Sequence, residues 1–329
     1  MENNIMVSIC CLAYNHEKYI KKTLDGFINQ ITNFKYEILI HDDCSTDNTV
    51  KIIEEYRQRY PDLIKPIYQT ENQFSKGIRV SLTYQYPRAK GKYIALCEGD
   101  DYWTDCNKLQ LQFDAMENNS DCTLCTHIVQ HMDESGNCIN KTQPIYEIKE
   151  GIILKKDFFN DIFLSEIMPF QTSSFFFKKV DVIKYNNTFL KEIEEIKDFG
   201  DVPLSWYLLL NGNCYFIDKI MSNYRENSIS SWSNRLKNKS YLIKHCQDII
   251  LFLKKFNYFS KYKYDNSIGY LIKKYEFCIL WVNEDFTKML NSNYREIFKE
   301  YPIINRIKIS IYGYFPFTRK IVNNIKEKN

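Results

Sequence analysis

Short apolar runs separated by longer amphipathic stretches, repeated four times in the first hundred residues, constrain this chain more than any other feature. Val7–Leu12, Tyr36–Ile40, Ile64–Tyr68 and Lys92–Cys97 each read as a strand. Between the first two, Ile20, Leu24, Phe27, Ile28 and Ile31 recur at helical spacing. Ser45-Thr46-Asp47 offers capping oxygens to a helix whose apolar face includes Val50, Ile53 and Tyr56, and another helix is expected after Ser75. Strands alternating with helices feed a parallel sheet, because a strand returning in the same direction needs a crossover long enough to cover one face.

The pattern changes beyond this point. Leu109, Phe113 and Met116 mark a helix, and a strand from Thr123 to Met132 turns at Asp133-Glu134-Ser135-Gly136-Asn137, so antiparallel additions are expected. From about Ser240, Leu, Ile, Phe and Tyr recur at helical spacing amid Lys. The expected architecture is an α/β domain over residues 1–239, dividing at 105/106, followed by a helical extension over 240–329.

At 329 residues the chain can bury a large core without covalent staples. Its 44 basic and 41 acidic residues leave a net charge of +3, which makes no broad case for a nucleic-acid partner. The eleven cysteines are scattered, several within apolar runs, and read as thiols of a reducing cytoplasm. The opening Met1-Glu2-Asn3-Asn4 has no basic region and the apolar run from Met6 to Leu12 is short for a signal core, which also predicts a cytoplasmic protein. Cys122-x-x-Cys125 with His127 and His131 resembles a zinc spacing, but strand alternation sets Cys122 on the face opposite the other three and no second pair follows.

In open α/β sheets ligands bind beyond the carboxyl ends of the strands. Three such ends are polar: Ala13-Tyr14-Asn15-His16-Glu17, His41-Asp42-Asp43-Cys44-Ser45-Thr46-Asp47, and Glu98-Gly99-Asp100-Asp101-Tyr102-Trp103. A single acidic turn would be a solvated cap of the following helix. Three gathered on one edge repel one another unless a cation, a base or a ribose hydroxyl compensates. Magnesium or manganese suits oxygen ligands and is held by one or two carboxylates together with substrate phosphates. Tyr102 and Trp103 have two readings, as a platform for a sugar or as core anchors.

These segments resemble the family 2 inverting glycosyltransferases of GT-A fold, especially bacterial members that build capsule, lipopolysaccharide or other surface glycans. The resemblance covers roughly residues 7–232. Val7–Asn15 looks like the family's opening strand, with Ala13 where proline or threonine is more usual, and Asp42-Asp43-Cys44-Ser45-Thr46-Asp47 matches its Asp-Asp-x-Ser-x-Asp segment. Glu98-Gly99-Asp100 resembles the Asp-x-Asp metal motif with glutamate at the first position. The resemblance implies a GT-A nucleotide-diphospho-sugar transferase fold, with a mostly parallel central sheet and helices on both faces. Residues 1–105 would be the nucleotide-sugar half and 106–239 the acceptor half. It implies donor contacts at Ala13, Tyr14, Asn15 and Glu17, at Asp42 and Asp43, at Arg79, and at Glu98 and Asp100. Asp100 would ligate Mg2+ or Mn2+, with Glu98 acting on the metal through water or on the donor sugar. Asp201 would be the general base, with Asp198 its nearest competitor. Tyr224-Arg225-Glu226-Asn227 resembles a later Tyr-Arg-x-His segment, with Arg225 able to pair with phosphate.

The implied partners are a nucleoside-diphosphate sugar, expected to be a UDP-sugar, and a glycan or lipid-linked glycan acceptor, with no nucleic acid. The Lys-rich stretch including Lys254-Lys255, Lys261, Lys263 and Lys273-Lys274 reads as a solvated helical face or as peripheral contact with the inner face of a membrane. A nicotinamide or flavin oxidoreductase needs a G-x-G-x-x-G after the first strand, and none is present. A non-catalytic glycan-binding or scaffolding protein of the same fold would be expected to lose the base or the ligand, yet both Asp100 and Asp201 stand.

Overall fold

The structure, a computed structural model, describes residues 4–162, 167–196, 201–226 and 235–315. Ten strands form one sheet: β1 Ile5–Ala13, β2 Lys35–Asp42, β3 Ile64–Tyr68, β4 Tyr93–Leu96, β5 Tyr102–Trp103, β6 Cys122–Met132, β7 Cys138–Gln143, β8 Gly151–Ile153, β9 Phe176–Lys178 and β10 Asn213–Arg225. Their order is β3-β2-β1-β4-β9-β6-β10-β5, with β7 on β6 and β8 on β10.

The four strands expected from the early apolar runs form the parallel half of this sheet. Beyond β4 the sheet is mixed: β9 runs antiparallel to both β4 and β6, while β6 and β10 are parallel to each other. The sheet is therefore less uniformly parallel than the expectation. Helix α1, Ile20–Ile28, buries Ile20, Leu24 and Phe27 as its spacing predicts, and stops before Ile31, which is exposed. Helix α2, Thr49–Arg59, buries Ile53 and Tyr56. Its entry is fixed by Asp47, whose Oδ1 accepts the Thr49 N–H at 2.9 Å. After Ser75 no long helix forms. Two short helical turns, Phe74–Lys76 and Tyr86–Arg88, flank a wide turn at Ser81–Gln85. Gly77, at φ +75°, ends the first turn, and the buried Gln85 amide donates to the Cys11 and Leu39 carbonyls of the sheet. Helices α3, Lys108–Asn118, α4, Lys179–Asn187, and α5, Asp201–Asn211, also belong to this part. The core joins Val7, Ile9, Ile38, Ile40 and Ala95 of the sheet to Leu24, Phe27 and Ile53 of the helices.

The chain divides into two compact units, Met1–Ser231 and Trp232–Asn329. The second is helical among its described residues. Helix α6, Lys239–Phe259, packs on α7, Asp265–Val282, and short helical turns at Phe286–Met289 and Arg295–Glu300 lead to α8, Ile303–Tyr314. Its own core gathers Phe277, Phe286, Met289, Ile297 and Ile309. No helix among the described residues is long and apolar enough to cross a membrane.

Candidate active site

Because β2, β1 and β4 are adjacent and parallel, their carboxyl ends lie side by side, and the loops leaving them interlock. Asn15, at φ +55°, turns the chain after β1; its N–H donates to Ser45 Oγ (2.9 Å), and its Oδ1 accepts the Thr46 N–H (2.8 Å). The His16 N–H reaches Thr49 Oγ1 at 2.8 Å, and Glu17 Oε2 accepts from the Asn48 N–H and side-chain amide at 3.0 and 2.7 Å. The polar spacing after β2 thus knits two strand ends into one rim. Tyr14 stands exposed on that rim, while Ala13 is buried beneath it.

Asp42 and Asp43 are both buried and both bonded locally. The Ser45 N–H and hydroxyl donate to the Asp42 carboxylate at 2.9 and 2.5 Å, and burial raises its pKa against those bonds. Asp43 accepts the N–H groups of Gln73 (2.8 Å) and Phe74 (3.0 Å), fixing the start of the segment that carries Arg79.

At the end of β4, Gly99 is a point of close approach. A Cβ there would lie 2.7 Å from His16 Nδ1 and 3.1 Å from the Leu12 carbonyl oxygen. This contact brings His16 Nε2 to 3.8 Å from Asp100 Oδ2. Asp101 turns inward instead: it is buried, and its Oδ1 accepts the Arg225 N–H at 2.9 Å. Burial, then the charges of Asp100 and Glu98, push the Asp101 carboxyl well above its usual range, partly offset by that N–H. Glu98 is exposed at the end of β4, with enough neighbouring protein to desolvate its carboxyl. That surrounding mass, followed by the charges of Asp100 and Asp201, pushes its carboxyl up to about 8. The Asp201 charge is therefore felt at the end of β4.

Asp201 begins α5, where its Oδ1 accepts the Val202 N–H at 3.0 Å and its Oδ2 accepts the Thr172 hydroxyl. Thr172 belongs to the Pro169–Ser173 loop, whose next residue, Ser173, shares a 3.0 Å hydroxyl contact with Ser222 of β10. Asp198 and Asn227 lie outside the described residues.

The two arginines are occupied by backbone. Arg79 Nη2 donates to the carbonyls of Ile193 (3.1 Å) and Ile196, anchoring the chain that leads toward Asp201. Arg225 Nε donates to the Asp100 carbonyl at 3.2 Å, and Nη1 to those of Asp133 and Glu134 at 3.2 and 3.0 Å; its guanidinium lies 4.3 Å over the Tyr19 ring. Arg225 thereby holds the Asp100–Asp101 turn against the β6–β7 turn. Tyr102 and Trp103 are core anchors. Trp103 meets Phe27 edge-on at 4.7 Å and carries the buried Lys108 ammonium 4.0 Å over its ring.

His16 and Thr172 went unassigned in the sequence, although His16 lies in a segment singled out there. A histidine in the same rim as Asn15 and a hydroxyl opposite an acidic helix start were the available signals.

The donor set fits a hard divalent cation. Asp100 and Glu98 supply oxygen, and a cation would offset both the burial and the neighbouring charges that raise Glu98. No three His, Cys, Asp or Glu side chains converge into a cage among the described residues.

Comparison with known proteins bears on the whole arrangement. Rv1520 of Mycobacterium tuberculosis, an uncharacterized protein, is 33% identical over 236 residues, 69% of this chain and 60% of its own length. The chain thus spans less than two thirds of this relative. An uncharacterized glycosyltransferase of Methanocaldococcus jannaschii, MJ1057, is 33% identical over 158 residues, 47% of this chain and 52% of that one. Among solved structures, Staphylococcus aureus TarS 1-349 in complex with UDP aligns with a TM-score of 0.54 at 16% identity, covering 92% of this chain and 77% of its own, a likeness of fold. The family model described as glycosyl transferase family 2 matches residues 8–185, from β1 through the acidic end of β4 and on into α4. With that match spanning more than half its length, the chain belongs to glycosyl transferase family 2.

Proposed function

We propose that this protein transfers a single sugar from a nucleoside-diphosphate sugar to a hydroxyl of a growing cell-surface glycan, free or lipid-linked, with inversion at the anomeric carbon. One observation supports the reading: after burial, the charges of both Asp100 and Asp201 bear on the Glu98 carboxyl at the end of β4. A UDP-sugar is the favoured donor, in keeping with the UDP bound by TarS on the same fold. The rim made by Tyr14, Asn15, Glu17 and the Asp42–Asp47 turn receives the nucleotide, with Asp43 and Arg79 shaping the segment beside it. Arg225 steadies the Asp100 turn and has the chemistry to meet phosphate.

Asp201 removes the proton of the acceptor hydroxyl. The acceptor oxygen then bonds to the anomeric carbon from the face opposite the diphosphate, the carbon–oxygen bond to phosphate breaks, and its electron pair leaves with the diphosphate. Thr172 orients Asp201 for this step. A divalent metal held by Asp100, with Glu98 acting through water or on the sugar, would supply charge stabilisation of the leaving group. The protein works on the cytoplasmic side, in peripheral contact with the membrane through its C-terminal helices.

The base assignment is tested with Asp201→Asn. Transfer should fall roughly a hundredfold to ten-thousandfold, while calorimetric donor binding stays unchanged. Near-normal turnover would move the base elsewhere. A screen of nucleotide release from UDP-, GDP-, dTDP- and CMP-sugars identifies the donor without knowledge of the acceptor.

A further inference from the structure

Helix α8 carries its apolar face on the side away from its own core. Ile309 and Gly313 are its buried residues. Opposite them, Ile303, Ile304, Ile307 and Ile311 are 64, 76, 54 and 44% exposed, and Tyr314 is 69% exposed. At about 100° per residue, these five side chains fall within roughly 100° of the helix circumference and make a continuous stripe. Arg306 borders the stripe on one side and Lys308 on the other. No acidic residue occurs between Ile303 and Phe315. From Ile303 to Asn329 the sequence holds six basic residues and one acidic, a charge of +5 in a chain whose total is +3, so everything before it is net acidic.

Single exposed isoleucines are ordinary; a contiguous stripe marks something that covers it. We propose that this stripe docks on a membrane surface containing anionic lipid, with the isoleucines entering the interface and Arg306 and Lys308 lying among the headgroups. At 12 residues α8 is about 18 Å long, well short of the roughly 30 Å hydrocarbon layer, so it lies in the interface and does not span it. A second copy of the chain fits less well, because two-fold pairing of the stripe with itself sets like charges together. Anionic lipid satisfies the apolar stripe and the Arg306 border at once, and adds to the contact that the Lys308 ammonium makes 5.0 Å over the Trp281 ring. The inference deepens the peripheral contact proposed above by naming the helix, the face and the lipid charge, and it is independent of sugar transfer.

The test is cosedimentation of the full chain with vesicles of phosphatidylcholine alone and of phosphatidylcholine with phosphatidylglycerol. The unaltered protein should bind the anionic vesicles and lose binding as salt rises. Ile304→Glu with Ile307→Glu, at exposed positions that leave the circular dichroism unchanged, should weaken binding at least roughly tenfold. Arg306→Gln with Lys308→Gln should weaken it about fivefold per charge on anionic vesicles only. If the double-Glu variant binds as well as the parent, this face is wrong although contact elsewhere survives. If the parent itself fails to bind, both the face and the peripheral reading fall. A dimer that Ile307→Glu disperses, with no vesicle binding, gives the stripe to a second copy and overturns the proposal.

Discussion

Asp100 and Asp101 are neighbours with opposite fates. The backbone turns Asp101 into the protein, onto the Arg225 N–H, and leaves the Asp100 side chain partly open beside His16. Asp100→Ala should therefore leave the fold intact and abolish the increment that manganese adds to nucleotide binding; calorimetry with and without the metal decides, and an unchanged increment would remove Asp100 from the metal. Thr172 acts one step further out, through its hydrogen bond to Asp201. Thr172→Val should lower kcat roughly tenfold, the scale of one lost hydrogen bond to a charged group, with donor KM unchanged and Thr172→Ser restoring most of the rate. A loss confined to KM would assign Thr172 to donor binding. The acidic strand end and the acidic helix start were legible because apolar runs frame them. What Arg79 and Arg225 touch was not, since their partners are carbonyls 91 to 125 residues away and a carbonyl has no sequence signature.

At the scale of elements, α1 reaches the sheet through Gly26, where an added Cβ would lie 2.8 Å from the Trp103 carbonyl oxygen. Alanine there gains up to about 1 kcal/mol in helix propensity, but a clash with backbone cannot be relieved by a rotamer change, and overpacking costs about 1–3 kcal/mol. The clash wins. Gly26→Ala should lower stability in urea by about 1–2 kcal/mol, and a more stable variant would show that α1 can shift away from β5. The four early strands were legible from their apolar runs, and α1 to α3 from their period. Strand β9 was not: three residues are too few to show a period, yet its place between β4 and β6 turns a parallel sheet into a mixed one. The helix expected after Ser75 broke because Gly77 and Pro87 interrupt it and because Gln85 is drawn into the sheet.

Over the whole molecule, the sheet holds a store of buried thiols, and these weaken the fold as pH climbs past 9. Burial pushes Cys10, Cys11, Cys97, Cys125 and Cys214 above their usual value near 9, Cys214 up to about 12. A group whose folded pKa is raised stabilises the fold fully below its unfolded pKa and loses that contribution as pH climbs toward the folded one. Above about pH 9 the unfolded chain releases these five protons while the folded chain keeps them. Lys108 works the other way. Burial lowers it to about 7, so between that value and its usual 10.5 the unfolded chain holds a proton that the folded one lacks, and stability rises with pH. Each group contributes about 1.4 kcal/mol per pH unit, so five thiols outweigh one lysine. Against a total stability on the order of 5–15 kcal/mol, the thiols exhaust the fold within a few pH units. The urea midpoint, with thiols kept reduced, should change little from pH 7 to 8.5, where the lowered Lys108 opposes the raised Glu98 and Asp101 carboxyls, and fall steeply above 9. Cys97→Ala with Cys125→Ala should flatten that fall by about two protons. A fall of the same slope in the double variant would place the alkaline transition in groups other than the thiols.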